Sequence, residues 1–285
     1  MRQRSATSLG HARWLKVVLL LALMIPPVVA HSFDPRETSA VIRAVLEQPV
    51  IDALTPLVVL AKYALLAVAL ACLLRPALLG RLGWGYYAVV LVVIAFGQNM
   101  AVTERYGFAW LVGNTLIQLV VAAFAAADAG GRRTRASPEQ LRRGRLWVLA
   151  PAALAWLFPY VVVGEDVHAG LKLAALVNEA GLTYCMVTPV VLALMILYAD
   201  GVHAPTLSVA AWAGLLFGVT NVATWFVLAP ASWWMGVLHL PLLVLSGYAL
   251  WLSRRTSIDR SQDSNRTYRG PSGQARRQDG RRADR

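Results

Sequence analysis

Seven groups able to donate, accept or carry charge stand inside stretches of Leu, Val and Ala: Lys62, Gln98, Asn99, Asn114, Gln118, Asn221 and His239. Polar side chains at membrane depth are costly and face a bundle interior or a wet cavity, so each is a candidate binding residue. Lys62 lies about eight residues into its apolar run, roughly 12 Å from the start at ~1.5 Å per residue. Either its long stem reaches back to the interface, or its ammonium has a polar neighbour, Asn99 or Glu104 from the next segment. Asn114 and Gln118 are four apart and share one helix face. The chemistry this set supports is recognition of a small polar solute, and the positive charge of Lys62 points to an anionic or carboxylate-bearing one.

Two other readings use the same residues. Asn and Gln can simply join helices by hydrogen bonds in a non-catalytic assembly or scaffold protein. An intramembrane enzyme acting on a lipid-linked substrate would need an acid and a base, for which His239 with Glu179 or Glu104 are available. No catalytic residue is assigned, because no Ser–His–Asp arrangement and no Gly-rich phosphate loop occurs. Glu165-Asp166-Val167-His168, with Asn178-Glu179 further on, gathers acids and an imidazole without HxxxH or HExxH spacing. No metal and no other cofactor is expected. Cys72 and Cys185 fall near opposite ends of their segments, which leaves no disulfide and no CxxC pair.

Composition fixes the elements that must hold these groups. Of 285 residues 58% are hydrophobic and 15% charged, and the mean hydropathy is +0.55. Soluble chains carry about 25% charge, so a soluble enzyme, a disordered chain and a disulfide scaffold are excluded. The fold class is all-α, a multi-pass transmembrane helical bundle. Seven apolar segments, at 54–74, 84–103, 107–127, 146–164, 182–199, 206–228 and 232–252, make a membrane domain over 54–253.

Residues 1–30 have a basic start, an apolar run and the ending Val28-Val29-Ala30; they are either a signal peptide cleaved after Ala30 or an eighth, N-terminal helix. Within 31–53, Asp34-Pro35 looks like a helix start, and Val41, Ile42, Val45 and Leu46 recur at helical spacing. This is an outer amphipathic helix, ended by Pro49. Residues 254–285 form a basic tail with little apolar content, expected to be disordered in the cytoplasm.

The net charge of +12 is concentrated. Threading the segments from an outside start puts Arg75, Arg81, the loop with Arg132, Arg133, Arg135, Arg142, Arg143 and Arg145, and Arg254-Arg255 in the cytoplasm. The outer connections carry only Arg105 and Lys172, as the positive-inside rule requires of a plasma-membrane protein with a cytoplasmic C-terminus. The basic loop and tail would face anionic lipid head groups, and no nucleic-acid partner is expected. Nothing in the sequence specifies an oligomeric state. Trp84, Trp110, Trp147, Trp233 and Trp234 fall near segment ends, where an aromatic belt belongs.

A weak internal similarity accompanies this plan. Thr55-Pro56-Leu57-Val58 resembles Thr188-Pro189-Val190-Val191, and Phe96-Gly97-Gln98-Asn99 resembles Phe217-Gly218-Val219-Thr220-Asn221. It would fit a parallel repeat of three helices, a linking helix and three more. On the assigned topology every polar candidate lies in the outer half of the membrane, and the inner halves are Leu, Val and Ala. That one-sidedness predicts an outward-facing polar cavity.

Overall fold

Long runs of Leu, Val and Ala leave the backbone no partner but itself, and a helix satisfies every interior N–H and C=O within one segment. The computed structural model describes residues 13–163, 166–170 and 173–268, and these contain nine α-helices. In chain order they are α1 (Arg13–Leu23), α2 (Thr38–Glu47), α3 (Thr55–Leu74), α4 (Trp84–Gly97), α5 (Val112–Gly131), α6 (Leu149–Leu157), α7 (Tyr184–Leu197), α8 (Ala204–Ala223) and α9 (Trp233–Tyr268). Five helical stretches are long and apolar enough to cross a membrane: Pro56–Leu74, Pro76–Gly97, Val112–Gly131, Ala204–Leu228 and Pro230–Arg255.

The two remaining apolar segments form shorter helices. Segment 146–164 yields only the nine-residue α6. The helix closes at Phe158, with φ 44°, because Pro159 has no N–H to give and its ring crowds the preceding turn. Strands β4 (Tyr160–Val163) and β5 (Asp166–Ala169) then pair as an antiparallel hairpin. Segment 182–199 yields the 14-residue α7, about 21 Å long against a hydrocarbon core of about 30 Å. Every residue from Met186 to Leu197 is buried, as expected of a helix apolar on all sides and enclosed by others. The similarity between the two Thr-Pro segments does not extend to helix register. Thr55 opens α3, whereas Thr188 lies a full turn inside α7.

A second small sheet continues the pattern. Strands β1 (Val28–Val29), β2 (Met100–Thr103) and β3 (Gly107–Trp110) are antiparallel in the order β1-β3-β2, with Met100 opposite Trp110 and Thr103 opposite Gly107. It packs on α2 through Val41, Val45, Ala101, Tyr106, Ala109 and Leu111. A bidentate pair from Arg105 to Glu37, at 2.8 and 2.9 Å, ties its turn to the start of α2. Asp34 accepts from the Arg36 N–H and Pro35 opens a 3₁₀ turn, so α2 proper begins at Thr38.

Both hairpins, α2, the N-terminal ends of α3, α5, α7 and α9, and the C-terminal ends of α4, α6 and α8 gather at one end of the bundle. The other end carries the arginine-rich connections. There Arg142 and Arg145 bond Asp200 at 2.8 and 3.2 Å. Burial works against its ionisation, but the hydrogen bonds and charges of the two guanidinium groups leave the Asp200 carboxyl below its ordinary range. Trp84 belongs to this end but not to an aromatic belt: it is fully buried and donates to Thr134 Oγ1 at 3.0 Å. Trp147 and Trp233 are exposed at their helix ends. The last helix continues beyond the apolar run to Tyr268, since the first Gly or Pro after Ser253 is Gly270. Residues 269–285 of the basic tail lie outside the described residues.

Helix α1 is built into the bundle. It packs on α5 and α8, buries Leu15 and Leu19, and accepts a hydrogen bond from Trp212 Nε1 at the Lys16 carbonyl, 3.0 Å away. Gly113 makes the approach feasible, because a Cβ there would fall on the Ala22 carbonyl oxygen. Gly113→Ala is therefore expected to push α1 from its seat at a cost on the order of 1–3 kcal/mol, read as a lower unfolding temperature in detergent. A variant as stable as wild type would show that α1 does not dock there.

Candidate functional site

The end opposite the arginines encloses a cavity of about 520 Å³. Six of the seven sequence candidates line it: Gln98, Asn99, Asn114, Gln118, Asn221 and His239. They arrive from four helices or helix ends, and all but Asn114 are held by a hydrogen bond. Asn99 Nδ2 donates to Ala95 O at 3.2 Å and to Gln118 Oε1 at 2.7 Å, fastening the end of α4 to the second turn of α5. Gln98 Oε1 accepts from the Tyr184 N–H at 3.0 Å and so caps the start of α7. Asn221 Nδ2 donates back to Phe217 O at 2.8 Å.

Nδ1 of His239 is 2.7 Å from Met235 O. A carbonyl only accepts, so Nδ1 carries a proton, and in the neutral ring Nε2 is the lone-pair nitrogen. The imidazole lies between Trp225, stacked at 6.3 Å, and the edge-on Phe158 at 6.0 Å.

Some of this polar capacity is left over. Gln118 is 2% exposed, and its Nε2 amide has no partner among the described residues. Asn114 makes no hydrogen bond among the described residues. The indole N–H of Trp225 is buried and unpaired. Buried polar groups are normally satisfied; of the five buried unpaired side-chain atoms among the described residues, the Tyr184 hydroxyl and the Trp225 indole N–H belong to side chains that line this space, and those of Tyr106, Ser208 and Ser246 do not.

Lys62 is elsewhere. It is completely buried and is absent from the cavity lining. Its ammonium donates to Ala175 O at 2.6 Å, to Leu157 O at 3.4 Å and to Asn178 Oδ1. It also lies 4.9 Å from the centre of the Trp156 ring. Its partners are neither Asn99 nor Glu104, and it does not reach for an interface. Asn178 does line the cavity and spans to Leu157 O and Phe158 O at 3.1 and 2.9 Å. Lys62 thus braces the wall from behind.

The charged groups on the cavity side are acids: Glu47, Asp52 and Glu179. Among the described residues no Lys or Arg lines it. The Tyr160 hydroxyl, 2.9 Å from both carboxylate oxygens, fixes Glu179. Burial, and then the adjacent Glu179 charge, raise the pKa of Asp52 above its ordinary value. These acids sit at the end of α2 and in short turns, where intramembrane polarity gives no signal. The sequence cues are for Glu179 alone: its place beside Asn178 in one short outer segment and its availability as an acid or base for His239.

A second polar cluster lies at the arginine end, unmarked by the sequence reading. Asp128 is fully buried within α5; it accepts from Thr134 N at 2.8 Å and Thr134 Oγ1 at 3.0 Å, and His203 Nδ1 is 3.7 Å away. His203 also contacts Thr206 Oγ1 at 2.9 Å. The inner halves of the helices are thus not wholly apolar. Every oxygen of this carboxylate is engaged, and the cluster's geometry is that of an anchor for residues 132–135. Among the described residues no three His, Cys, Asp or Glu side chains come together as a metal site; Glu165 lies outside them. Comparison with protein families, characterised proteins and solved structures finds no match.

Proposed function

We propose that this protein resides in the plasma membrane and binds or translocates a small polar solute through the cavity, which opens to the outside, with the C-terminus in the cytoplasm. The observation that carries the reading is the convergence of six intramembrane polar residues, scattered from Gln98 to His239, on one space of 520 Å³. Small-molecule sites have volumes of about 300–1,000 Å³ and combine apolar walls with a few convergent polar groups. Ile51, Val58, Phe158 and Phe217 supply the walls. The orientation rests on the arginines at the opposite end, where the positive-inside rule places the cytoplasm and anionic head groups would lie against them. The anionic solute expected from Lys62 loses its basis, because carbonyl and amide oxygens satisfy that ammonium. A scaffold would account for the Asn99–Gln118 bond, but not for amides left open to a cavity.

The test uses a background carrying Cys185→Ser, with buried Cys72 left in place. An Asn114→Cys protein should react with a membrane-impermeant thiol reagent in intact cells, and a Ser137→Cys protein only after permeabilisation. The reverse pattern overturns the orientation, and an Asn114→Cys that is inert in both conditions overturns the hydrated cavity.

A further inference from the structure

This inference rests on the cavity being a solute site and concerns the chemistry of the solute. The cavity carries a negative field. Glu47, Asp52 and Glu179 line it, no basic side chain among the described residues does, and Lys62 stands behind the wall, acting on Glu179. A low-dielectric enclosure of one sign concentrates the opposite ion. The same space is lined by Phe158, Tyr160, Trp225 and the ring of His239, with Phe158 in contact with Tyr160 at 5.2 Å and His239 stacked on Trp225. Aromatic rings attract cations through their negative faces, and boxes of such rings hold alkylammonium groups.

Among the described residues the carboxylates do not converge as metal ligands do; calcium, for example, takes six to eight oxygens at about 2.3–2.6 Å. A bulky cation with its charge spread over several methyl or methylene groups needs only acids and rings around it. An independent sign of a ligand comes from Gln118, 98% buried with an unused amide, and from the unpaired indole N–H of Trp225. Both are donors, suited to a hydroxyl or carbonyl oxygen at the other end of the solute.

We propose that the cavity selects an organic ammonium compound, its cationic group held among Asp52, Glu179 and the rings of Phe158, Tyr160 and Trp225, and its polar end met by Asn114 and Gln118. The ammonium group has two possible sources, a free amine in the medium or the head group of a zwitterionic lipid.

Three probes of one shape and different charge decide it: choline, the neutral 3,3-dimethylbutan-1-ol and the anionic 3,3-dimethylbutanoate. Each is titrated into the full-length protein in a maltoside detergent, with thermal unfolding and calorimetry as readouts. Choline is expected to bind about tenfold or more tighter than the neutral alcohol, and the anion not at all. Asp52→Asn combined with Glu179→Gln should abolish that preference while leaving the unliganded protein folded. Should the double variant not fold, Asp52→Asn alone and Trp225→Leu carry the same expectation. Dihexanoylphosphatidylcholine below its micellar concentration separates the sources. Binding of free choline assigns the solute, and binding of the lipid alone assigns the head group.

Equal binding of choline and the alcohol overturns charge selection but leaves the solute cavity standing, as does preference for the anion. If no probe, lipid included, binds while Asn114→Cys is labelled from outside, the ammonium proposal alone falls. If no probe binds and Asn114→Cys is inert, both readings fall.

Discussion

Lys62→Met is expected to lower the stability of the bundle by about 3 kcal/mol or more, seen as a lower unfolding temperature and a smaller folded fraction in detergent. The methionine is close in length, so packing is nearly kept and the loss is one of charge and donors. It removes the ammonium from Ala175 O, Leu157 O and Asn178 Oδ1 at once; Leu157 O keeps the Asn178 amide and Asn178 Oδ1 keeps the Ala180 N–H, so Ala175 O loses its donor outright while the other two are weakened. Each buried acceptor so orphaned costs about 1–3 kcal/mol. A lysine that merely reached to head groups would give the opposite result, since removing it would spare the cost of about 2.5–3.5 kcal/mol for a lysine near a helix centre. Asn178→Leu should be partly redundant with Lys62→Met in a double-mutant cycle, because both break one network. A Lys62→Met protein as stable as wild type would show that the buried network does not hold the wall.

Gly181→Ala should have a still larger effect. An added Cβ would meet Lys62 N, Lys62 Cα and Ala61 C, all backbone atoms of α3 that cannot rotate aside. The turn Glu179–Gly181 must then lift off α3, carrying Glu179 and Asn178 away from the cavity and from Lys62. A loss above about 4 kcal/mol belongs to the rare class of core-disrupting substitutions, and the folded yield in size-exclusion chromatography should collapse. Gly130→Ala is the matched control, since nothing lies within 4 Å of its added Cβ. Equal yields from the two proteins would refute the close seating of the turn on α3.

Much of the polar site was legible because amides and imidazoles inside apolar runs are conspicuous and expensive. What each one does was less so. Lys62 was read as the cavity's charge because its depth follows from counting residues, whereas its direction depends on Ala175, 113 positions later in the chain. Glu179 is legible as a partner for His239, whereas Glu47 and Asp52 give no signal because acids at a helix end or in a connection read as solvated.

Hydropathy also overstated helix length. Met100–Thr103, Gly107–Trp110 and Tyr160–Val163 continue the apolar runs of their neighbours, yet they pair as hairpins. A short run of Val, Tyr and Phe does not distinguish a strand from the end of a span. Asp128 escaped because its partners, Thr134 and His203, lie in connections on either side of two intervening helices.

The cavity wall runs from Leu46 to His239, and this sets an order on biosynthesis. Translation proceeds at about 5–20 residues per second, so the ribosome needs on the order of ten seconds between Gln98 and His239. Through that interval α4 and α5 stand in the membrane without the helices that later enclose them. Asn99 and Gln118 are already able to bond each other across that early pair, and so shield most of their polarity from lipid before the bundle closes. Asn114 has no such partner, which makes it the residue most exposed to a wrong neighbour while the chain is unfinished. Products truncated before α9 lack the His239 wall altogether and leave the Asn114 amide open on that side.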